Sequence, residues 1–154
     1  MRQIDVLLDQ YSSDHRNATN QLIHLFCVPA IVWSVTAMLW TIPVPAGLFQ
    51  PGAFSALAMF FAWAYYWRLS RKLAMGLFVC FFASALLNRW IADTYGMSAL
   101  LIAALAVFVV AWIGQFIGHK VEGQRPSFFT DIVFLLIGPL WTLRKLYQRI
   151  GIGY

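Results

Sequence analysis

Charge is absent from long stretches of this chain. Residues 17–67 carry no Asp, Glu, Lys or Arg, nor do residues 73–88, nor the run from Thr94 to Gly118. One membrane crossing needs about 20 mostly apolar residues. The pattern therefore predicts spans near 22–42, 53–67, 73–92 and 97–118. Between the first two lies "PVPAGLFQPG" (43–52), a charge-free turn rich in Pro and Gly. Tyr65, Tyr66 and Trp67 close the second span as an interfacial aromatic belt. Ahead of the spans, Ile4, Leu7, Leu8 and Tyr11 fall on one helical face. They predict a short amphipathic helix lying on the membrane surface. Ser12, Ser13 or Asp14 is then placed to cap the next helix. The last apolar segment, 128–143, is short, contains Asp131, and has Gly138-Pro139 near its end. It reads as a re-entrant or interfacial segment, which is tolerated where protein covers it or it lines a cavity. The expected fold is an all-α integral membrane protein: four transmembrane helices, this C-terminal segment and the N-terminal amphipathic helix, as a single membrane-embedded domain over residues 1–154.

Composition sharpens that picture. The chain is 61% hydrophobic and 11% charged, where a soluble domain is nearer half apolar and a quarter charged. Too little polar surface remains to cover a soluble fold of this size. The net charge of +5 is gathered in short clusters between spans, which sets orientation and does not suggest nucleic acid. The first 21 residues lack the basic-then-apolar order of a secretory signal. Cys27 and Cys80 sit within apolar runs, where small buried hydrophobes are the default and a disulfide framework is not expected. Arg68, Arg71 and Lys72 follow the second span, Lys120 and Arg125 follow the fourth, and the turn at 43–52 has no basic residue. By the positive-inside bias, the N-terminus and the loops after spans two and four face the cytoplasm.

Four crossings return the chain to the side it left. His24 opens the first span and His119 closes the fourth, so these two and His15 lie at similar depth on the cytoplasmic side. Ionisable residues inside a membrane are costly and by default face partners in the bundle. Gln115, His119 and Glu122 share a face if that helix continues past Gly118, and Asn17, Asn20 and His24 share another. If the helix stops at Gly118, Asp131 becomes the better acid. His15 and His24, nine residues apart, point in opposite directions on one straight helix and can meet only if the chain breaks near Asn17. Neutral imidazoles with a carboxylate suit a first-row metal, and two histidines with one carboxylate is a non-haem Fe(II) pattern.

The stretches "YSSDHRNATNQLIHLFCVPAIVW", "WIGQFIGHKVEGQRPS" and "DIVFLLIGPLW" resemble, in order and over nearly the whole chain, the family named for metabolism of phytosphingosine to odd-numbered fatty acids. The resemblance implies an Fe(II)-dependent dioxygenase that performs α-oxidation of 2-hydroxy fatty acids with O2, giving acids one carbon shorter. It draws the metal ligands from His15, His24 and His119, with Glu122, Asp131 and Asp14 as candidate acids. Arg125, Lys120 or Arg16 would neutralise the substrate carboxylate, and Asn20 and Gln115 would orient the imidazoles. A bacterial member would sit in the inner membrane and a eukaryotic one in the endoplasmic reticulum. The alternative is a membrane haem- or lipid-binding protein without dioxygenase chemistry. A di-iron hydroxylase needs more histidines than three, and a transporter would gather its polar residues nearer the midplane.

Overall fold

The computed structural model describes residues 2–45, 47–123 and 133–154, and is all-helical. Six helices lie among the described residues: α1 (Gln3–Ser13), α2 (Ala18–Trp40), α3 (Ala53–Leu69), α4 (Arg71–Tyr95), α5 (Met97–Glu122) and α6 (Val133–Arg149). Three of them, α2, α4 and α5, are long and apolar enough to cross a membrane. At 17 residues, α3 is shorter. Large apolar side chains such as Phe61, Phe82, Ile102 and Val110 point outward. Helices that are apolar all round are expected where the surroundings are lipid.

The closest packing is between α2 and α5, and glycine is its cause. Gly114 and Gly118 form a small-xxx-small stripe on α5, which lets two helix backbones approach. A Cβ on Gly114 would collide with the Cys27 sulfur, and one on Gly118 with the Asn20 side chain. At the far end of the same pair, Ala37 packs on Leu100 and Ala104. Thr36 ties α2 to α4 through a 2.8 Å hydrogen bond with Ser84.

Three local features depart from the sequence-based expectation. The cap of α2 is Asn17, not Ser12, Ser13 or Asp14: its side chain accepts the N–H groups of Thr19 and Asn20. α1 runs through Ser12 and Ser13, whose hydroxyls donate back to Leu8 and Gln10 carbonyls. The apolar face of α1 is also not free for a membrane surface. Ile4, Leu8 and Tyr11 are buried in one core with Tyr66, Leu73, Ile137 and Trp141. α6 reaches Arg149, six residues beyond the expected end of the last segment. Its C-terminal half packs on α1, where Trp141 Nε1 donates to Ser12 Oγ at 2.9 Å and Arg144 pairs with Asp9 at 2.9 Å. The exposed ion pair adds little stability; the buried tryptophan holds the helices in register.

Candidate metal centre

The chain breaks where the histidine spacing requires. α1 stops at Ser13 and α2 begins at Ala18, so His15 sits in a short non-helical link and turns toward His24. α5 continues past Gly118 to Glu122 and is stopped by Gly123 in the left-handed conformation, φ 76°. That extra turn puts His119 opposite His24. His15 Nε2 and His119 Nε2 each lie 3.2 Å from His24 Nε2. All three rings are buried, with 1%, 1% and 4% exposure for His15, His24 and His119. One ligand nitrogen from each can be chosen within 4.8 Å of the others.

Proton bookkeeping shows what this cluster lacks. His15 Nδ1 is 2.8 Å from the Tyr11 carbonyl and His24 Nδ1 is 3.0 Å from the Asn20 carbonyl. A carbonyl only accepts, so both Nδ1 atoms must carry the proton. Burial pushes the His15 imidazole below its ordinary value of 6.5, so the ring is neutral. A neutral imidazole has one N–H. The Nε2 lone pairs of His15 and His24 therefore face each other across 3.2 Å with no proton between them. Such an arrangement calls for a cation. Nδ1 held by a carbonyl with Nε2 left as the donor atom is the usual preparation of a metal-binding histidine. The 3.2 Å separation also suits two nitrogens on one ion, since metal–nitrogen bonds of about 2.0–2.1 Å bring adjacent ligands to roughly 3 Å apart. These residues fit a bound metal.

The surrounding groups position the rings. Tyr11 stacks on His15 at 4.2 Å with planes 7° apart, and Trp141 tilts against the same ring at 5.8 Å. Burial raises the Tyr11 phenol above its usual range, so it stays protonated. Gln21 Nε2 donates to the His15 carbonyl at 2.7 Å and its oxygen accepts Lys145 Nζ at 3.2 Å. Glu122 is committed to the link that carries His15. Its carboxylate accepts the N–H groups of Arg16 (2.8 Å) and Asn17 (3.0 Å) and Asn20 Nδ2 (2.9 Å). It thus places a negative charge at the N-terminus of α2, where the helix dipole favours one. Glu122 binds the three histidine-bearing segments together, and among the described residues no carboxylate joins the histidine cluster. Among the described residues the cluster is one of three histidines. Arg125 and Asp131, expected from sequence near this site, lie outside the described residues. Asn20 is fully buried beside His24, and Gln115 is buried one turn before His119.

An apolar cavity of about 440 Å³ opens from the histidines, within the usual range for small-ligand sites. His24, Val28, Ile31, Thr36 and Leu39 form its wall on α2, and Met59, Phe81, Phe108 and Trp112 come from α3, α4 and α5. From His24 to Leu39 the helix rises about 22 Å, longer than the roughly 15 Å depth of one bilayer leaflet. Tyr11, Tyr66 and Trp141 were legible in the sequence only as apolar or belt residues. The glycine pair at 114 and 118 carried a signal for the close α2–α5 contact that a reading centred on histidines passes over.

The chain matches the family described as 2-hydroxy-palmitic acid dioxygenase Mpo1-like over residues 1–150. It is 27% identical over 143 residues to the 2-hydroxy-palmitic acid dioxygenase MPO1 of Saccharomyces cerevisiae, covering 92% of this chain and 78% of the yeast protein. No solved structure gives a significant match. A family match over almost all of the chain, together with the buried histidine cluster and the apolar cavity beside it, places this protein: it belongs to the Mpo1-like family.

Proposed function

We propose that this chain is an Fe(II)-dependent dioxygenase performing α-oxidation of 2-hydroxy fatty acids. The carrying observation is the set of converging Nε2 atoms at one end of an apolar cavity, in a family whose yeast member is named for 2-hydroxy-palmitic acid. His15, His24 and His119 would hold the iron, and bound Fe(II) would supply the one-electron chemistry that reaction with O2 requires. The transformation balances without a further reductant. A 2-hydroxy acid and one O2 give the acid one carbon shorter, CO2 and water. The C1–C2 bond breaks, and the substrate supplies all four electrons that O2 takes up.

The residues of the chain do the rest. The Tyr11 and Asn20 carbonyls fix the tautomers of His15 and His24. Glu122 keeps the His15 link docked on α5, as a positioning residue. The apolar cavity takes the acyl chain, so the tail never has to enter water. Arg125 remains our candidate for neutralising the carboxylate, and Asp131 for an additional acid. A haem held between His24 and His119 is disfavoured, because their Nε2 atoms stand 3.2 Å apart and leave no room for a macrocycle between them.

In this reading, α2 to α5 make four crossings as one membrane-embedded unit over residues 1–154. α3 is within the length range of a short span, and its end at Tyr65, Tyr66, Trp67 and Arg68 suits an interface. The N-terminus and the histidines then face the cytoplasm, from the inner membrane of a bacterium or the endoplasmic reticulum of a eukaryote. The test is to incubate purified protein with carboxyl-labelled 2-hydroxypalmitate under O2 and under nitrogen. Labelled CO2 and pentadecanoic acid should appear together, and only with O2. Release of CO2 without O2, or no shortened acid, would sink the proposal.

A further inference from the structure

The cavity wall holds two polar side chains with no role in the proposed chemistry. Tyr66 on α3 is 2% exposed and Gln115 on α5 is 5% exposed, and both line the cavity. Neither has a hydrogen bond among the described residues, and neither contributes to the interactions that hold the histidines. A phenol or amide in apolar surroundings ordinarily finds a partner, and here both line the cavity. The rest of the wall apart from the histidines and Tyr11 is almost wholly apolar, and no Lys or Arg among the described residues lines it. The two groups also sit at the histidine end. Gln115 is one helical turn from His119. Tyr66 is three residues from the end of α3 and packs in the same core as Tyr11 and Trp141, both of which touch His15. A few placed polar groups in an apolar pocket fix the polar end of a ligand.

We infer that Tyr66 and Gln115 form the head-group subsite: their unpaired N–H and O–H groups hold the carboxylate and hydroxyl of the substrate beside the histidines. This rests on the proposed function. The phenol donates, and the amide both donates and accepts, so together they match a ligand end that carries an anionic acceptor next to a hydroxyl. They hydrogen-bond the head from the cavity wall, and neutralising its charge is left to Arg125.

The test compares the unaltered protein with Tyr66→Phe, Gln115→Leu and, as a control, Tyr65→Phe, whose ring lies outside the cavity wall. Metal content and thermal melting are measured for each, followed by binding of 2-hydroxypalmitate and of hexadecane-1,2-diol, which keeps the hydroxyl and lacks the carboxylate. Tyr66→Phe and Gln115→Leu should each weaken 2-hydroxypalmitate binding roughly ten- to a hundredfold, the scale of a hydrogen bond to a charged group. Metal content should stay at the unaltered level, and Tyr65→Phe should bind normally. KM should rise with it. Normal 2-hydroxypalmitate binding by both cavity variants would overturn the inference while leaving the proposed function standing. Failure of the unaltered protein to bind 2-hydroxypalmitate would overturn both. Should one variant fail to fold, the other alone decides.

Discussion

Each histidine in this site reports a different local constraint. His24 is fixed by an ordinary helical relation, its Nδ1 reaching the Asn20 carbonyl one turn back. His15 uses the same four-residue reach to Tyr11, but from outside any helix. The neutral state of His15 has a consequence for stability. Its folded value lies below the ordinary 6.5 because burial penalises the charged ring. The unfolded chain therefore binds that proton first as pH falls, and stability drops from about pH 6.5 downward through the folded value. Metal-free protein should melt at steadily lower temperature below pH 6.5 and show a flat response just above it. A His15→Gln variant should show a shallower slope, and an unchanged slope would show that His15 contributes nothing to it. The three histidines and their shared end of the bundle were legible in the sequence. Their ring-to-ring distances were not, since those depend on where α1 ends, and several residues there can cap.

At the scale of elements, the site depends on two contacts between helices. The glycines on α5 let α2 approach, and the carboxylate of Glu122 then ties the start of α2 and the His15 link to the end of α5. Gly118→Leu should push Asn20 and His24 away from His119 and cost about 1–3 kcal/mol of stability. Metal content would fall with it, while Ala106→Leu on the exposed face of α5 should leave both unchanged. Glu122→Ala should lower stability by about 1–2 kcal/mol, the worth of a charge-assisted hydrogen bond partly screened by solvent, and should loosen metal binding without abolishing it. Complete loss of metal in Glu122→Ala would instead argue that this carboxylate is a ligand. Sequence spacing put Glu122 on the histidine face if the helix continued past Gly118, and α5 does run to Glu122. It could not show that the backbone N–H groups of Arg16 and Asn17 would claim the carboxylate, because that partner lies more than 100 residues away.

For the whole molecule, the alternation of charge-free runs and basic clusters outlined an all-helical fold, and the helices follow those runs closely. α1 and α6 were harder to place. Amphipathic faces show that something must cover them, and here they cover each other and the histidine end of the bundle. That arrangement leaves an apolar cavity whose one polar end is the histidine cluster, the layout expected of an enzyme that takes an acyl chain from a membrane and reacts at its head. The proposed function requires iron held by these three residues. The most direct test is turnover of 2-hydroxypalmitate by purified protein after removal of metal with a chelator and again after addition of Fe(II), with His24→Ala treated alongside. Stripped protein should yield no pentadecanoic acid, turnover should return with about one iron per chain, and the variant should not recover. Full turnover by stripped protein, or by His24→Ala, would contradict that requirement.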